Sequence, residues 1–225
     1  MDVSVSQHDN SDLSRKPFFM AIAGNIGVGK TTLTQKISER FHLKPFFERV
    51  INNPYLNDFY ADMHRWSFNL QIFFLSQRFI DQDAISKSLV PCVQDRSIYE
   101  DAEIFAYILH KQAYMSDRDY DNYRDLFAIM TSYLRKPDLI LYLRASTWTL
   151  ISRIRKRGRE FEKRISIDYL HELNAAYDRW VNANQGQIKF LTVNADEMDI
   201  ERNPQKLQEL YHLLEPHLKQ QGYDI

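Results

Sequence analysis

The sequence predicts an α/β fold: a three-layer sandwich of the P-loop kind, in which a five-stranded parallel sheet is flanked by helices, with a short basic lid. Three observations carry that expectation. Short apolar runs alternate with longer segments of helical period along most of the chain, the pattern of a parallel sheet covered by helices. The first apolar run leads directly into a glycine-rich loop and then a helix-like segment, so that a strand end and a helix start meet around an anion site. A chain of 225 residues with 44% hydrophobic content is also large enough to bury one substantial core.

Five runs read as strands, at 18–23, 44–47, 90–94, 138–143 and 188–193. Helical periodicity is visible at 31–41, 66–85, 98–109, 118–134, 147–157, 167–184 and 204–218. Pro91 and Pro137 fall at strand entries, where a missing N–H costs little. Right-handed crossovers then place all five strand carboxyl ends along one edge, where ligands bind in such sheets.

The glycine-rich loop is Gly24-Asn25-Ile26-Gly27-Val28-Gly29-Lys30-Thr31, followed by Thr32. Its glycines let backbone N–H groups point inward at a phosphate, and the following helix adds its positive end. Lys30 is placed to neutralise β- and γ-phosphates and Thr31 to hold Mg²⁺. A glycine-rich turn that binds nothing would not need the Lys and Thr in register. The chain is expected to bind a nucleoside triphosphate.

The 29 basic and 30 acidic residues nearly cancel, so no overall field gathers nucleic acid or an anionic membrane, and neither is expected as a partner. The single cysteine, Cys92, sits in an apolar run and cannot form an internal disulfide, which fits a reducing compartment and a small core residue. Residues 1–16 are polar, without the apolar stretch of a signal peptide, and read as a disordered extension before a single domain at 17–225. No segment approaches the ~20 apolar residues of a membrane span. The expected location is cytoplasmic.

The third strand ends in Asp95-Arg96-Ser97, and the second in Glu48. A carboxylate just past a buried strand is where P-loop enzymes hold metal or take a proton, and an adjacent Arg can clamp phosphate or orient an acid. Taken alone, the tripeptide reads equally well as a helix cap followed by a surface Arg. Two carboxylates at adjacent strand ends suggest a division of labour in which one activates a hydroxyl and the other handles Mg²⁺, with Asp95 and Thr31 the candidate metal ligands.

In the long third-quarter helix of the first hundred residues, Gln71, Phe74, Leu75 and Arg78 fall at i, i+3, i+4 and i+7. An amide beside an aromatic suits a nucleobase, since Gln can pair in two places and Phe can stack. A snorkelling Arg and an exposed Gln would produce the same stripe. On the next helix, Asp101 and Phe105 stand at i, i+4; Asp101 could accept from an exocyclic amine or serve only as helix N-terminal charge. Further on, residues 153–164 carry seven cations in twelve positions, with Gly158 as a helix stop. Such a run is often a solvated face or an RNA patch. Beside a P-loop it reads as a lid whose arginines, Arg153 and Arg157 on one face, close over the triphosphate.

Together these residues resemble the deoxyribonucleoside kinase family. The resemblance runs from Phe18 to about Val193 through the loop Gly-Asn-Ile-Gly-x-Gly-Lys-Thr, Glu48, Tyr60, Arg65-Trp66-Ser67-Phe68 with Gln71, Asp95-Arg96-Ser97-Ile98-Tyr99 with Asp101, Arg157-Gly158-Arg159 with Glu162, and Tyr169-Leu170 with Trp180. It implies transfer of the γ-phosphoryl of ATP, with Mg²⁺, to the 5′-hydroxyl of a deoxynucleoside in nucleotide salvage. By resemblance, Glu48 or Asp95 is the base, Arg96 steadies that site, Tyr60 and Glu162 hold the sugar 3′-hydroxyl, and Gln71 with Asp101 reads the base, on which Phe105 stacks. Arg153 and Arg157 grip ATP phosphates, and the 194–198 loop, with Asp196, lies near the adenine. Two departures stand out: Asp95 replaces the Glu of many relatives, and Phe74 is bulkier than the residue some carry.

A carboxylate paired with Arg78 beside a Gln amide favours an amino-bearing base over thymine. The resemblance is closest to bacterial purine-type members, so deoxyadenosine is expected, with deoxyguanosine and deoxycytidine open. The family is commonly dimeric, so a homodimer is expected, and feedback inhibition by a triphosphate product is implied by resemblance alone. The alternative is a nucleoside monophosphate kinase of the thymidylate-kinase type, which needs extra cations for its acceptor's phosphate. A GTPase switch requires an Asn-Lys-x-Asp element, and the sequence has none.

Overall fold

The computed structural model describes residues 16–48, 53–198, 203–220 and 222. Apart from Lys16, the polar N-terminal extension lies outside them. Five strands, β1 (Phe19–Gly24), β2 (Lys44–Phe46), β3 (Cys92–Asp95), β4 (Leu139–Arg144) and β5 (Phe190–Asn194), form one sheet in the order β2-β3-β1-β4-β5. Every adjacent pair is parallel. β1 is buried along its whole length and β4 along all but its last residue. That is why these strands read as continuous apolar runs rather than alternating ones: helices cover both faces.

The helices are α1 (Lys30–Phe41), α2 (Leu56–Ala61), α3 (Met63–Ser86), α4 (Ile98–Glu100), α5 (Tyr107–Lys111), α6 (Asp117–Ser132), α7 (Thr147–Arg157), α8 (Ile167–Asn184) and α9 (Pro204–Lys219). A π-helical segment, Asp101–Ala106, joins α4 to α5, and a 3₁₀ helix, Glu160–Arg164, follows α7. The expected seven helices are present with shifted ends. α3 starts earlier, at Met63, because Asp62 accepts from the backbone N–H of Arg65 and caps it. α2 was not foreseen: a six-residue helix has too few turns to show a period. The run read as one helix at 98–109 changes its hydrogen-bonding register through the π segment.

Register fixes the core. Phe19 lies opposite Cys92 and packs in one cluster with Cys92, Ile85 of α3 and Phe46. Cys92 is therefore the small buried residue its context implied, its thiol close to the Val90 carbonyl. At the amino end of β1, Asp138 accepts from the Phe19 N–H (2.8 Å) and pairs with Arg135 (2.6 Å). No helix among the described residues is long and apolar enough to cross a membrane.

Gly27 joins the loop to the helical layer. Its φ is +83°, and a Cβ there would meet Ile154 Cγ1 of α7 at 2.7 Å. Gly186 also has positive φ, +93°, but faces open space. Gly27→Ala should lower stability by more than the about 1–3 kcal/mol of backbone strain alone, and Gly186→Ala by the strain alone. Urea denaturation of the two variants checks this; equal losses would mean that α7 does not press on the loop.

Candidate active site

β1 delivers residues 25–29 to the start of α1, and Gly29 takes φ +104° to turn the chain into the helix. Lys30 folds back over this loop, its Nζ donating to the carbonyls of Gly24 (2.8 Å) and Asn25 (3.1 Å). Burial, with Arg96 nearby, lowers its ammonium to about 8 against the opposing pull of Asp95, Glu48 and Glu100. Thr31 Oγ1 donates to Asp95 Oδ2 at 2.5 Å. The other carboxylate oxygen, Oδ1, is buried without a protein partner.

Next to the loop lies a cluster of buried charges. Arg78, on α3 and only 2% exposed, donates from Nε to Asp101 (3.2 Å), from Nη1 to the Asp95 carbonyl (3.2 Å) and from Nη2 to Glu48 (2.5 Å). Arg96 donates from Nε to the same Glu48 oxygen (3.0 Å) and lies over the Phe105 ring at 4.3 Å. To reach this place Arg96 takes φ +67°, a left-handed conformation that non-glycine residues adopt at a cost. Burial pushes the Glu48 carboxyl up, but Arg96, Arg78 and Lys30 outweigh it and hold it down to about 2. Burial raises Asp95, and Glu48 adds to the rise. Burial likewise raises Asp101, to about 6, in spite of Arg78 and Arg96. Glu48 and Asp101 thus differ in proton affinity: both guanidinium groups donate to Glu48, whereas only Arg78 donates to Asp101 and burial wins there.

One cavity of about 320 Å³ collects most of the residues singled out in the sequence. Its lining includes Ile26, Gly27, Gly29, Lys30, Thr31 and Thr32 of the loop and α1, together with Glu48, Arg96, Asp101, Tyr60, Gln71, Phe74, Phe105, Arg157 and Glu162. Gln71 is buried, not exposed, and its Oε1 has no partner within the protein. Arg78 does not snorkel: it stands behind the wall and carries Glu48 and Asp101 on its guanidinium. Tyr60 stacks on Phe161 at 6.1 Å, burial holding its phenol well above the ordinary range. Glu162 accepts from Arg157 (2.6 and 3.1 Å) and Arg159 (3.4 Å).

Beyond the loop itself, of which Gly24, Asn25 and Val28 do not line the cavity, two expected ATP contacts lie elsewhere. Arg153 does not share the cavity with Arg157. It donates to the carbonyls of Val28 (2.8 Å), Ala195 (2.8 Å) and Met198 (3.0 Å), bracing the loop against the 195–198 turn. Being four residues apart gives two side chains a common face but not a common target. Asp196 accepts from the Ser146 N–H (2.9 Å) and hydroxyl (3.1 Å) at the start of α7.

Behind the lining lies a further layer of contacts that no sequence pattern signals as a group. Asn25 Nδ2 donates to the Leu170 carbonyl (2.9 Å) and Asn174 Oδ1 (2.8 Å) on α8. Glu100, fully buried, accepts from Ser97 N (2.8 Å) and from Gly24 N (3.2 Å), and Tyr177 packs beside it. Ser97-Ile-Tyr-Glu100 is a capping box, so its spacing signals the cap, but nothing local signals the reach to Gly24. Arg159 and Tyr169 also line the cavity.

A phosphate-wrapping loop that opens into the same cavity as a buried amide and a carboxylate fits a P-loop phosphotransferase whose acceptor shares that cavity. Residues 20–219 match the sequence model for deoxynucleoside kinases, and the chain belongs to that family. It is 43% identical over 169 residues to a deoxyadenosine/deoxycytidine kinase of Bacillus subtilis (74% of this chain, 78% of the relative). It is 40% identical over 178 residues to a deoxyadenosine kinase of Dictyostelium discoideum (79% and 72%). The solved structure of deoxyadenosine kinase from M. mycoides with bound dATP superposes with a TM-score of 0.76 at 30% identity, covering 87% of this chain and all of that one. As a member of this family the protein is an ATP-dependent phosphotransferase.

Asp101 binds its proton more tightly in the fold than at the ordinary 3.8. Its stabilising contribution is therefore complete below that value and falls away as pH rises through about 6. Glu48, lowered from 4.5 to about 2, acts oppositely: its contribution is present above 4.5 and is lost as pH falls toward 2. Compared with Asp101→Asn, the wild type should lose stability between roughly pH 4 and pH 7. Urea melts of both proteins at the two pH values check this; a pH-independent difference would refute it.

Proposed function

We propose that this protein transfers the γ-phosphoryl of ATP to the 5′-hydroxyl of a deoxynucleoside, with deoxyadenosine preferred, in nucleotide salvage. The observation that carries the reading is one cavity holding Lys30 and Thr31, Glu48 and Arg96, and Gln71 and Asp101 together. A phosphate site, a hydroxyl acceptor and a base-reading pair are then in reach of a single substrate pair.

The roles carry over from the family resemblance and agree with the charges at the site. Lys30 and the inward backbone N–H groups of the loop bind the triphosphate. Thr31 and Asp95 would hold Mg²⁺, and the fit is good: a hydroxyl and a carboxylate with one unpartnered buried oxygen match an ion that takes few protein ligands beside phosphate and water. When bound, Mg²⁺ supplies positive charge that neutralises phosphate oxygens. Glu48 accepts a hydrogen bond from the 5′-hydroxyl and orients it. Held down to about 2 it is a weak base, which suffices where the transition state is loose and the proton leaves late. Arg96 fixes Glu48, and with Arg157 offers cationic charge to the transferring group. Tyr60 and Glu162 hold the sugar. Gln71, with its unpartnered Oε1, and Asp101 take the amino-bearing base between Phe74 and Phe105.

Several relatives are deoxyadenosine or deoxyguanosine kinases, which supports the purine preference. We further propose one kinase domain at 17–225 with 153–164 closing as a lid, a cytoplasmic location, and a homodimer. Exposed Leu126 and Ile129 on α6, with Tyr133 just past its end, form a stripe suited to a second copy.

An ATP-dependent phosphorylation panel over the four deoxynucleosides, their ribo-forms and deoxyadenosine monophosphate tests this. Deoxyadenosine should give the highest kcat/KM, and phosphorylation of the monophosphate alone would favour a monophosphate kinase. In the same assay Glu48→Gln should lower kcat by about 10²–10⁴-fold; an unchanged kcat removes Glu48 from the reaction.

A further inference from the structure

Tyr177 is fully buried on α8, and its hydroxyl lies 2.8 Å from the Gly24 carbonyl and 2.8 Å from Glu100 Oε1. It also accepts from Arg96 Nη1 at 2.9 Å. A tyrosine hydroxyl has one proton, so it can donate to only one of the two oxygens at a time. Lys30 Nζ meanwhile donates to that same Gly24 carbonyl at 2.8 Å. With the lysine there, the carbonyl is satisfied and the hydroxyl proton is available to the charged oxygen of Glu100, the stronger acceptor. Glu100 in turn accepts from the Gly24 N–H, so one end of Gly24 is held by Glu100 and the other by Lys30, with the Tyr177 hydroxyl within reach of that second end.

For Lys30 to engage a triphosphate it must leave the Gly24 carbonyl, and a buried carbonyl stripped of its partner costs free energy. We propose that Tyr177 is a positioning residue for phosphoryl transfer: its hydroxyl turns from Glu100 to the Gly24 carbonyl as Lys30 departs, which makes the lysine's move to the phosphates cheap. Glu100 keeps its bonds from Ser97 and Gly24 during the exchange. The Asn25 carbonyl, which Lys30 also leaves, keeps the Val28 N–H at 3.3 Å, so the loop changes partners without a buried carbonyl being left over. This rests on the reading of Lys30 as a triphosphate ligand given above.

The test is Tyr177→Phe, which keeps the ring and removes the hydroxyl. Calorimetry on ATP without an acceptor should show roughly tenfold weaker binding than wild type, and the KM for ATP should rise by a similar factor. The Kd for deoxyadenosine measured without ATP should stay within about twofold, a split that general loss of structure would not produce. Equal ATP affinity in the two proteins, or equal losses for ATP and deoxyadenosine, would overturn the inference. Absence of ATP binding in the wild type would instead defeat the functional reading itself. If the Phe variant does not fold, a crystal structure of the wild type with a non-hydrolysable ATP analogue decides: Lys30 should have left the Gly24 carbonyl with the Tyr177 hydroxyl still within hydrogen-bonding distance of it. Lys30 remaining on that carbonyl would sink the idea.

Discussion

The molecule is organised around a problem in electrostatics, the burial of seven charged side chains in one region. Lys30, Arg78, Arg96, Asp95, Glu100 and Asp101 are all under a tenth exposed, and Glu48 is tied to two of them. A single ion left unpaired in such surroundings costs several kcal/mol. The cluster is therefore tolerable only if every member finds its partner, and the partners come from α1, the end of β2, α3, β3 and the turn after it, α4 and the π segment. The sheet order β2-β3-β1 is what brings Glu48, Asp95 and Lys30 into adjacent positions at the strand ends. A different order would scatter them and leave charges stranded.

Within that cluster the fold differentiates groups that are chemically alike. Glu48 faces two guanidinium groups and is held strongly acidic, whereas Asp95 and Asp101 are pushed upward by burial. Arg96 sits in a strained left-handed conformation at the end of β3, and the surrounding bonds to Glu48, Tyr177 and the Phe105 ring keep it there. Strain kept in place by so many contacts is a mark of a functional position. The π segment that follows carries Asp101 and Phe105 into the cavity, in keeping with the frequent placement of such segments at functional sites.

Much of this was legible in the residues themselves. The phosphate loop announces itself because its chemistry is local, and the strands do because a parallel sheet buried on both faces needs unbroken apolar runs. Glu48, Asp95 and Arg96 were found by their place at strand ends. What could not be read was distance in space. Gln71 and Arg78 fit a solvated stripe as well as a buried one, and only the packing of α3 against the π segment settles that they are inside. Arg153 and Arg157 share a helix face, yet a turn and a 3₁₀ helix send one to carbonyls and the other to the cavity. The Tyr177–Gly24 contact spans more than 150 positions of sequence, and the π segment has no compositional signature.

The persistence of the charge cluster is itself an argument about what the fold is for. Replacing a buried ion pair with apolar groups of similar volume is commonly neutral or stabilising, so Arg78 and Asp101 are not needed to keep α3 against the sheet; Leu70, Leu75 and Ile85 already bury its apolar side. Keeping them makes sense if they act on something that enters the cavity. The guanidinium of Arg78 touches Glu48 at one end and Asp101 at the other, joining the group proposed to meet the sugar hydroxyl to the group proposed to meet the base. A rigid bridge of this kind fixes the separation between two recognition points on one substrate. Precision of that sort favours a fork-shaped side chain over a flexible ammonium, and explains why the longest buried side chain of α3 is an arginine.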